Sequence, residues 1–217
     1  MVELRPVIFL GPSLDINEAI SILDADYKPP VKRGDLLQIP QEVEVVGIVD
    51  GLMLTDAAVG HREILSLLDR GVSVFGGGSM GALRAAELAD MGMVGVGRIF
   101  EEYSSGRVEG DDEVVLSFDP FTQAALSEPL INLRLNLIDA CERGIITPSD
   151  VCALIRELKK EFYPWRSYEK LFYIANNILL NKDAQVLEEH LRKNKIDFKR
   201  NDAILLINAV KAVIEKN

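Results

Sequence analysis

Cysteine and histidine are both scarce. The two cysteines, Cys141 and Cys152, lie in helical sequence with no histidine nearby, which excludes a disulfide framework and makes a poor metal site. The two histidines, His61 and His190, leave one candidate for a Ser-His-Asp triad. No apolar run approaches the roughly 18 residues that a membrane span needs. Residues 1–13 hold an apolar stretch too short for a signal peptide and read as a first strand, so a cytoplasmic protein is expected. Positive charge is also in deficit: 24 Lys and Arg stand against 34 Asp and Glu, a net charge of −10. With no basic stripe outside Arg192 to Arg200, a nucleic-acid partner is not expected. Internal repeats and low-complexity linkers are absent. What is present, 48% hydrophobic and 27% charged residues over 217 positions, is the composition of a folded chain with one large domain or one domain and an extension.

The first half repeats one event, an apolar β-branched run that ends in a turn before a helical pattern. Val7 to Leu10 ends at Gly11-Pro12-Ser13, and Asp15 to Leu23 reads as a helix. An extended piece ends at Tyr27, before the double proline of Lys28-Pro29-Pro30-Val31-Lys32 forbids regular structure. Val43 to Val49 is apolar nearly throughout, as in a strand buried on both faces. A helix from Asp56 to Arg70, a strand at Val72 to Phe75 and a helix at Ala82 to Met91 follow, with a last strand at Val114 to Phe118. Alternation in such short units predicts an α/β fold with a parallel-sheet core. After Pro120 the pattern is helical only, with a strong start at Thr147-Pro148-Ser149-Asp150. The expected division is an α/β core over residues 1–125 and a helical part over 126–217 packed on it, not an independent domain.

One loop satisfies two motifs. Gly76, Gly78 and Gly81 fit the dinucleotide fingerprint G-x-G-x-x-G. Gly77, Ser79 and Gly81 fit the nucleophile elbow G-x-S-x-G, a strand-to-helix turn presenting a serine. Both use the unpaired N–H groups and partial positive charge of a helix N-terminus. Against the first, the loop follows the fourth strand rather than the first, and no acidic strand end lies about twenty residues on for a ribose. Plain close packing of a glycine-rich turn is the third reading.

Other candidates each have a bland alternative. Lys32 and Lys28, past the end of the second strand, are activating bases for a serine or solvated loop residues. Asp50 closes the third strand, where carboxylates face a ligand crevice, or caps a turn. His61 shares a helical stripe with apolar residues and reads as a satisfied histidine, and Glu87 as an ion-pair partner of Arg84 or Arg62. Asp111-Asp112-Glu113 reads as a solvated loop lacking calcium-loop spacing. Tyr163, Trp165 and Tyr168 read as core packing, and Cys141 and Cys152 as small buried hydrophobes.

The runs Ile48 to Gly51, His61 to Leu65, Gly78-Ser79-Met80-Gly81-Ala82-Leu83-Arg84-Ala85-Ala86-Glu87-Leu88 and Gly92 to Phe100 resemble the TfuA family, as do Phe9 to Ser13 and Asp111 to Val114. The likeness covers most of residues 7–118 and thins out in the C-terminal helices. Many relatives carry Lys where this chain has Arg62. The resemblance implies a partner of YcaO enzymes, which activate peptide amides with ATP, in the replacement of a backbone amide oxygen by sulfur. The modified substrates are peptides or proteins such as methyl-coenzyme M reductase. It further implies an enzyme that draws sulfur from a thiocarboxylated ThiS-type carrier protein through a Ser-Lys hydrolase-like site, with no cofactor and no metal. Carried onto this chain, Ser79 is the nucleophile and Lys32 the base, with Lys28 second. The loop Gly78, Met80 and Gly81 supplies oxyanion donors; Asp50, His61, Arg84 and Glu87 support them. Two alternatives remain: a non-catalytic adaptor between YcaO and the carrier, and a nucleotide-binding protein using the glycine-rich loop.

Overall fold

A computed structural model describes residues 5–53 and 57–216. In chain order the elements begin with β1 (Val7–Phe9), α1 (Ile16–Ile22), β2 (Asp26–Lys28), β3 (Val45–Ile48) and α2 (His61–Asp69). Next come β4 (Ser73–Gly77), α3 (Met80–Leu88), β5 (Val94–Val96) and α4 (Arg98–Ser104). Four helices follow, α5 (Leu130–Glu142), α6 (Pro148–Lys160), α7 (Tyr168–Ile178) and α8 (Asn181–Asn194), and α9 (Phe198–Ile214) ends the chain. Contacts divide it into two compact units, Met1–Glu109 with Phe198–Asn217, and Gly110–Asp197.

The first unit is the expected α/β core. Its five strands are all parallel in the order β2-β1-β3-β4-β5. Alternation along the strands gives each face its own core. Val7, Phe9, Val46, Ile48 and Val74 pack with Ile64 and Leu67 of α2 and Met80, Ala85 and Leu88 of α3. Ile8, Leu10, Val45, Val49 and Phe75 pack with Ala19 of α1 and Ala203, Leu206, Ile207 and Val210 of α9. A parallel sheet needs both faces covered, and the last helix of the chain does much of that work on the second face. That is why α9 joins the α/β unit rather than the helices that precede it.

Two local expectations are corrected. Residues 114–118 do not form a strand of the sheet: Val114 is buried, and Phe118 makes a single antiparallel bridge to Ala125. The β-branched run there reflects burial, not pairing. The fifth strand is instead Val94–Val96, which Gly92, Gly95 and Gly97 disguise as a loop. The expected helix start at Asp56 lies outside the described residues. α2 begins at His61, where Gly60 is the N-cap and its N–H donates to Glu63 Oε1 at 3.2 Å.

The second unit is a helical bundle around Leu130, Leu133, Leu137, Leu154, Leu158, Leu171 and Leu187. Thr147 caps α6 as its sequence predicts, accepting from Asp150 N–H. The acidic run is not a solvated loop. Glu113 is fully buried, paired with Arg134 through both carboxylate oxygens and with Lys159 at 3.2 Å, and Asp112 pairs with buried Arg166 at 2.7 Å. Burial of such charges requires partners, and the cations lie 21 or more residues away in sequence. Cys152 is exposed and Cys141 half-buried, and Trp165 is 67% exposed while Tyr168 is buried. Only part of those two side-chain groups therefore joins the core.

Candidate functional site

The carboxyl ends of the parallel strands meet at one edge of the first unit, the edge at which open α/β sheets hold ligands. With the order β2-β1-β3-β4-β5, the connections reverse direction between β1 and β3. Asp50, just past β3, reaches across that switch point to the loop after β1. Its Oδ2 accepts from Gly11 N–H at 2.9 Å and Ser13 N–H at 3.1 Å, and its Oδ1 accepts from Ser13 Oγ–H at 2.7 Å. Lys199 Nζ, from the first turn of α9, lies 3.7 Å from the same Oδ1. Asp50, Ser13 and Lys199 are each under 5% exposed. A carboxylate out of water needs compensating donors, and here three hydrogen bonds and one ammonium supply them.

Beside this cluster is the turn from β4 to α3. Gly78 takes φ +72°, and a Cβ there would meet Val49 Cγ1 at 2.9 Å and the carbonyl of Lys199 at 3.3 Å. The left-handed residue is therefore Gly78, and Ser79 follows with φ −146° and ψ −120° as the N-cap of α3. Ser79 is 5% exposed, and its Oγ makes no hydrogen bond among the described residues. Gly81 lets the first turn of α3 press on β3: a Cβ there would stand 1.7 Å from the Ile48 carbonyl oxygen.

The backbone donors are unequally available. Gly81 N–H donates to Val49 O at 3.1 Å, so it is not open to an oxyanion as expected, whereas Met80 N–H has no acceptor among the described residues. Gly11 and Ser13 N–H, the amides that would cradle a phosphate at the switch point, are taken by Asp50. Asp50 fills the anion position itself.

The two expected lysines face other partners or solvent. Lys28 is exposed and pairs with Asp26 at 2.7 Å; Lys32 is exposed on its loop, with its N–H donating to Asp35. Neither is bonded to Ser79 among the described residues. The lysine that reaches this edge is Lys199, which sequence reasoning missed because it belongs to a helix 120 residues from the turn. The signal available was a lysine that α9 buries on its apolar side next to Asp202 and Ala203. His61 is satisfied, as expected, with Nε2 2.8 Å from Glu87 Oε2, and its side chain is 49% exposed. Arg84 Nη1 bonds the same oxygen at 2.6 Å, and its Nε donates to Val59 O. These three side chains tie α2 to α3.

Next to the edge, Asp202 of α9 accepts from Arg98 N–H at 2.9 Å and Ile99 N–H at 2.7 Å, capping α4 from outside. Burial pushes its carboxyl up to about 6, against the pull of those two N–H groups. Among the described residues no three His, Cys, Asp or Glu side chains converge as a metal site would need, and no helix is long and apolar enough to cross a membrane.

No functionally curated protein matches the sequence significantly. The description "TfuA-like protein" matches over residues 50–167, a span that begins at Asp50 and includes the whole β4–α3 turn. With more than half of its length so matched, the chain belongs to the TfuA-like protein family.

Proposed function

We propose that this protein is the accessory partner of a cytoplasmic YcaO enzyme in peptide backbone thioamidation, and that it releases sulfide from a thiocarboxylated ThiS-type carrier. Membership of the TfuA-like family supports the partnership. The observation that carries the chemistry is the buried Asp50–Lys199 pair, which abuts a strand-to-helix turn whose serine hydroxyl has no bonded partner among the described residues.

In this reading Lys199 takes the role first expected of Lys32. The carrier's terminal thiocarboxylate is an anion, and a buried lysine is a fitting counterion for it. Ser79 Oγ forms a bond to the thiocarboxylate carbon, and Met80 N–H, at the positive end of α3, stabilises the oxygen that gains charge. The C–S bond breaks, and the serine proton passes through Lys199 to sulfur, which departs as hydrosulfide. Water then cleaves the acyl-serine, leaving a carrier carboxylate. Asp50 holds Lys199 in place and fixes the Ser13 loop. The sulfide is consumed by the YcaO reaction on its peptide or protein substrate.

The test is sulfide release from a chemically thiocarboxylated carrier, with and without YcaO. Ser79→Ala and Lys199→Met are each expected to lower release by about 100-fold or more, in line with losing a nucleophile or its proton carrier. Full release by Ser79→Ala would overturn the nucleophile, and sulfide-independent stimulation of YcaO by that variant would favour an adaptor.

A further inference from the structure

The first turn of α9 carries a contact that the proposed chemistry leaves unused. α4 begins after Gly97, which has no side chain to cap the first N–H groups of the helix. Such groups need an acceptor when they are out of water. Asp202 of α9 supplies it, as an N-cap side chain would, from 104 and 103 residues away in sequence. One oxygen accepts from Arg98 N–H at 2.9 Å and the other from Ile99 N–H at 2.7 Å. Asp202 and Ile99 are both buried. Gly97 takes φ +94°, and a Cβ there would stand 2.3 Å from the Asp202 carboxyl carbon, so the approach of α9 also depends on glycine. The same stretch of α9 rests on the β4–α3 turn, where a Cβ on Gly78 would meet Lys199 O at 3.3 Å and Ala203 N at 3.6 Å. α4 packs in its turn on α3, the helix that Ser79 caps. Two ion pairs reach this part of α9 as well. Asp50 attracts the Lys199 ammonium from 3.7 Å, farther than a hydrogen bond. Arg200 pairs with Glu18 of α1 at the surface, where such pairs contribute little. Two buried bonds to a carboxylate outrank either in fixing a position.

We infer that Asp202 is a positioning residue for the sulfide-releasing site: by clamping α9 to α4 it sets where Lys199 stands relative to the Ser79 turn. Asp202 acts through the helix backbone, since both its oxygens are engaged by α4. The catalytic consequence rests on the function proposed above, whereas the placement of Lys199 stands on the clamp alone. A lysine one turn from a lost clamp moves with its helix, and a small displacement of a reacting group is costly to a rate.

The experiment compares the full chain as wild type, Asp202→Asn and Asp202→Ala, with Leu67→Ala of α2 as a core truncation on the other face of the sheet. Asparagine keeps one acceptor oxygen and alanine none. The first measurement is acetylation of Lys199 by an N-hydroxysuccinimide ester, read by peptide mass spectrometry against exposed Lys182. Wild-type Lys199 is buried and is expected to label slowly. Asp202→Ala should raise that rate by about tenfold or more, Asp202→Asn less, and Leu67→Ala hardly at all. The second is sulfide release from the thiocarboxylated carrier, in which Asp202→Ala should lower kcat by about tenfold with KM held within about twofold, while Leu67→Ala keeps its kcat. Unchanged Lys199 labelling in Asp202→Ala, or an equal rise in Leu67→Ala, would overturn the positioning role whatever the release assay gives. Faster labelling with an unchanged kcat would overturn its catalytic consequence. Absence of release by wild type would overturn the proposed function instead, and labelling alone would then decide whether Asp202 places Lys199.

Discussion

Changing Asp50 to Asn tests the switch-point cluster most directly. An asparagine oriented with its oxygen toward Gly11 and Ser13 N–H keeps both amide bonds, and its NH2 can donate to Ser13 Oγ. What it cannot do is neutralise Lys199. At 3.7 Å, two unit charges interact by about 4 kcal/mol at an effective dielectric constant of 20. Desolvation offsets much of this in the intact pair, and losing the carboxylate charge beside a buried ammonium costs about 3 kcal/mol. The three bonds that Asp50 accepts also lose charge assistance. Asp50→Asn is therefore expected to destabilise the first unit by about 3 kcal/mol. Lys199→Met costs less, about 2 kcal/mol, because three donors still face the carboxylate. The double variant should cost about 3 rather than 5 kcal/mol, a coupling of about 2 kcal/mol. The single tryptophan, Trp165, belongs to the other unit and does not report this change. Amide hydrogen exchange of β1 and β3 is the assay. Additivity within about 0.5 kcal/mol would refute an energetically coupled pair.

Gly81→Ala should destabilise the same strands by more than about 2 kcal/mol, since its Cβ would be 1.7 Å from the Ile48 carbonyl oxygen and both sides are backbone; an exchange profile like wild type would refute that packing. Asp202 binds its proton more tightly folded, at about 6, than at the ordinary 3.8. The folded state therefore holds more protons between about pH 4 and 6, and this group's contribution to stability falls as pH rises through that window. Asp202→Asn should remove that component, and an unchanged stability-versus-pH slope over pH 4–6.5 would contradict it. Glu113→Gln should cost the second unit about 3 kcal/mol by stranding Arg134 and Lys159, read from Trp165 fluorescence in urea; a shift under 1 kcal/mol would show that the buried ion cluster is dispensable.

Much of the first unit was legible because parallel strands buried on both faces leave a periodic apolar trace. Val7 to Leu10 and Val43 to Val49 both announce strands that the sheet contains. The Gly76 to Gly81 turn was legible for a related reason: close approach of α3 to β3 demands glycine, and glycine is visible in a sequence. Asp50 was legible through the rule for strand ends. The lysine was not. The strand-end rule and the family resemblance pointed to Lys32, whereas a sheet with two faces to cover draws in whatever amphipathic helix the chain supplies. Here that helix is α9, and its first turn brings Lys199 and Asp202 to the edge. The fate of Glu113 was hidden in the same way, because its partners Arg134 and Lys159 are 21 and 46 positions away. Single-sequence patterns carry short-range information, and buried ion pairs between elements are long-range.

The occupation of the switch point by Asp50 also bears on the choice between the two motifs in the glycine-rich loop. A phosphate cradle depends on backbone N–H groups left open at the crevice. In this fold the two N–H groups of the β1 loop are closed by a carboxylate of the protein, and Gly81 N–H is closed by Val49 O. A second anion brought to the β1 loop would meet Asp50 rather than amides. Among the described residues, the Ser79 hydroxyl and the Met80 N–H, adjacent along the chain at the start of α3, have no hydrogen-bond partner. They are suited to a single carbonyl centre, with the serine attacking carbon and the N–H receiving the oxygen's charge. The closure of the β1-loop amides and of Gly81 N–H is thus consistent with the proposed acyl chemistry.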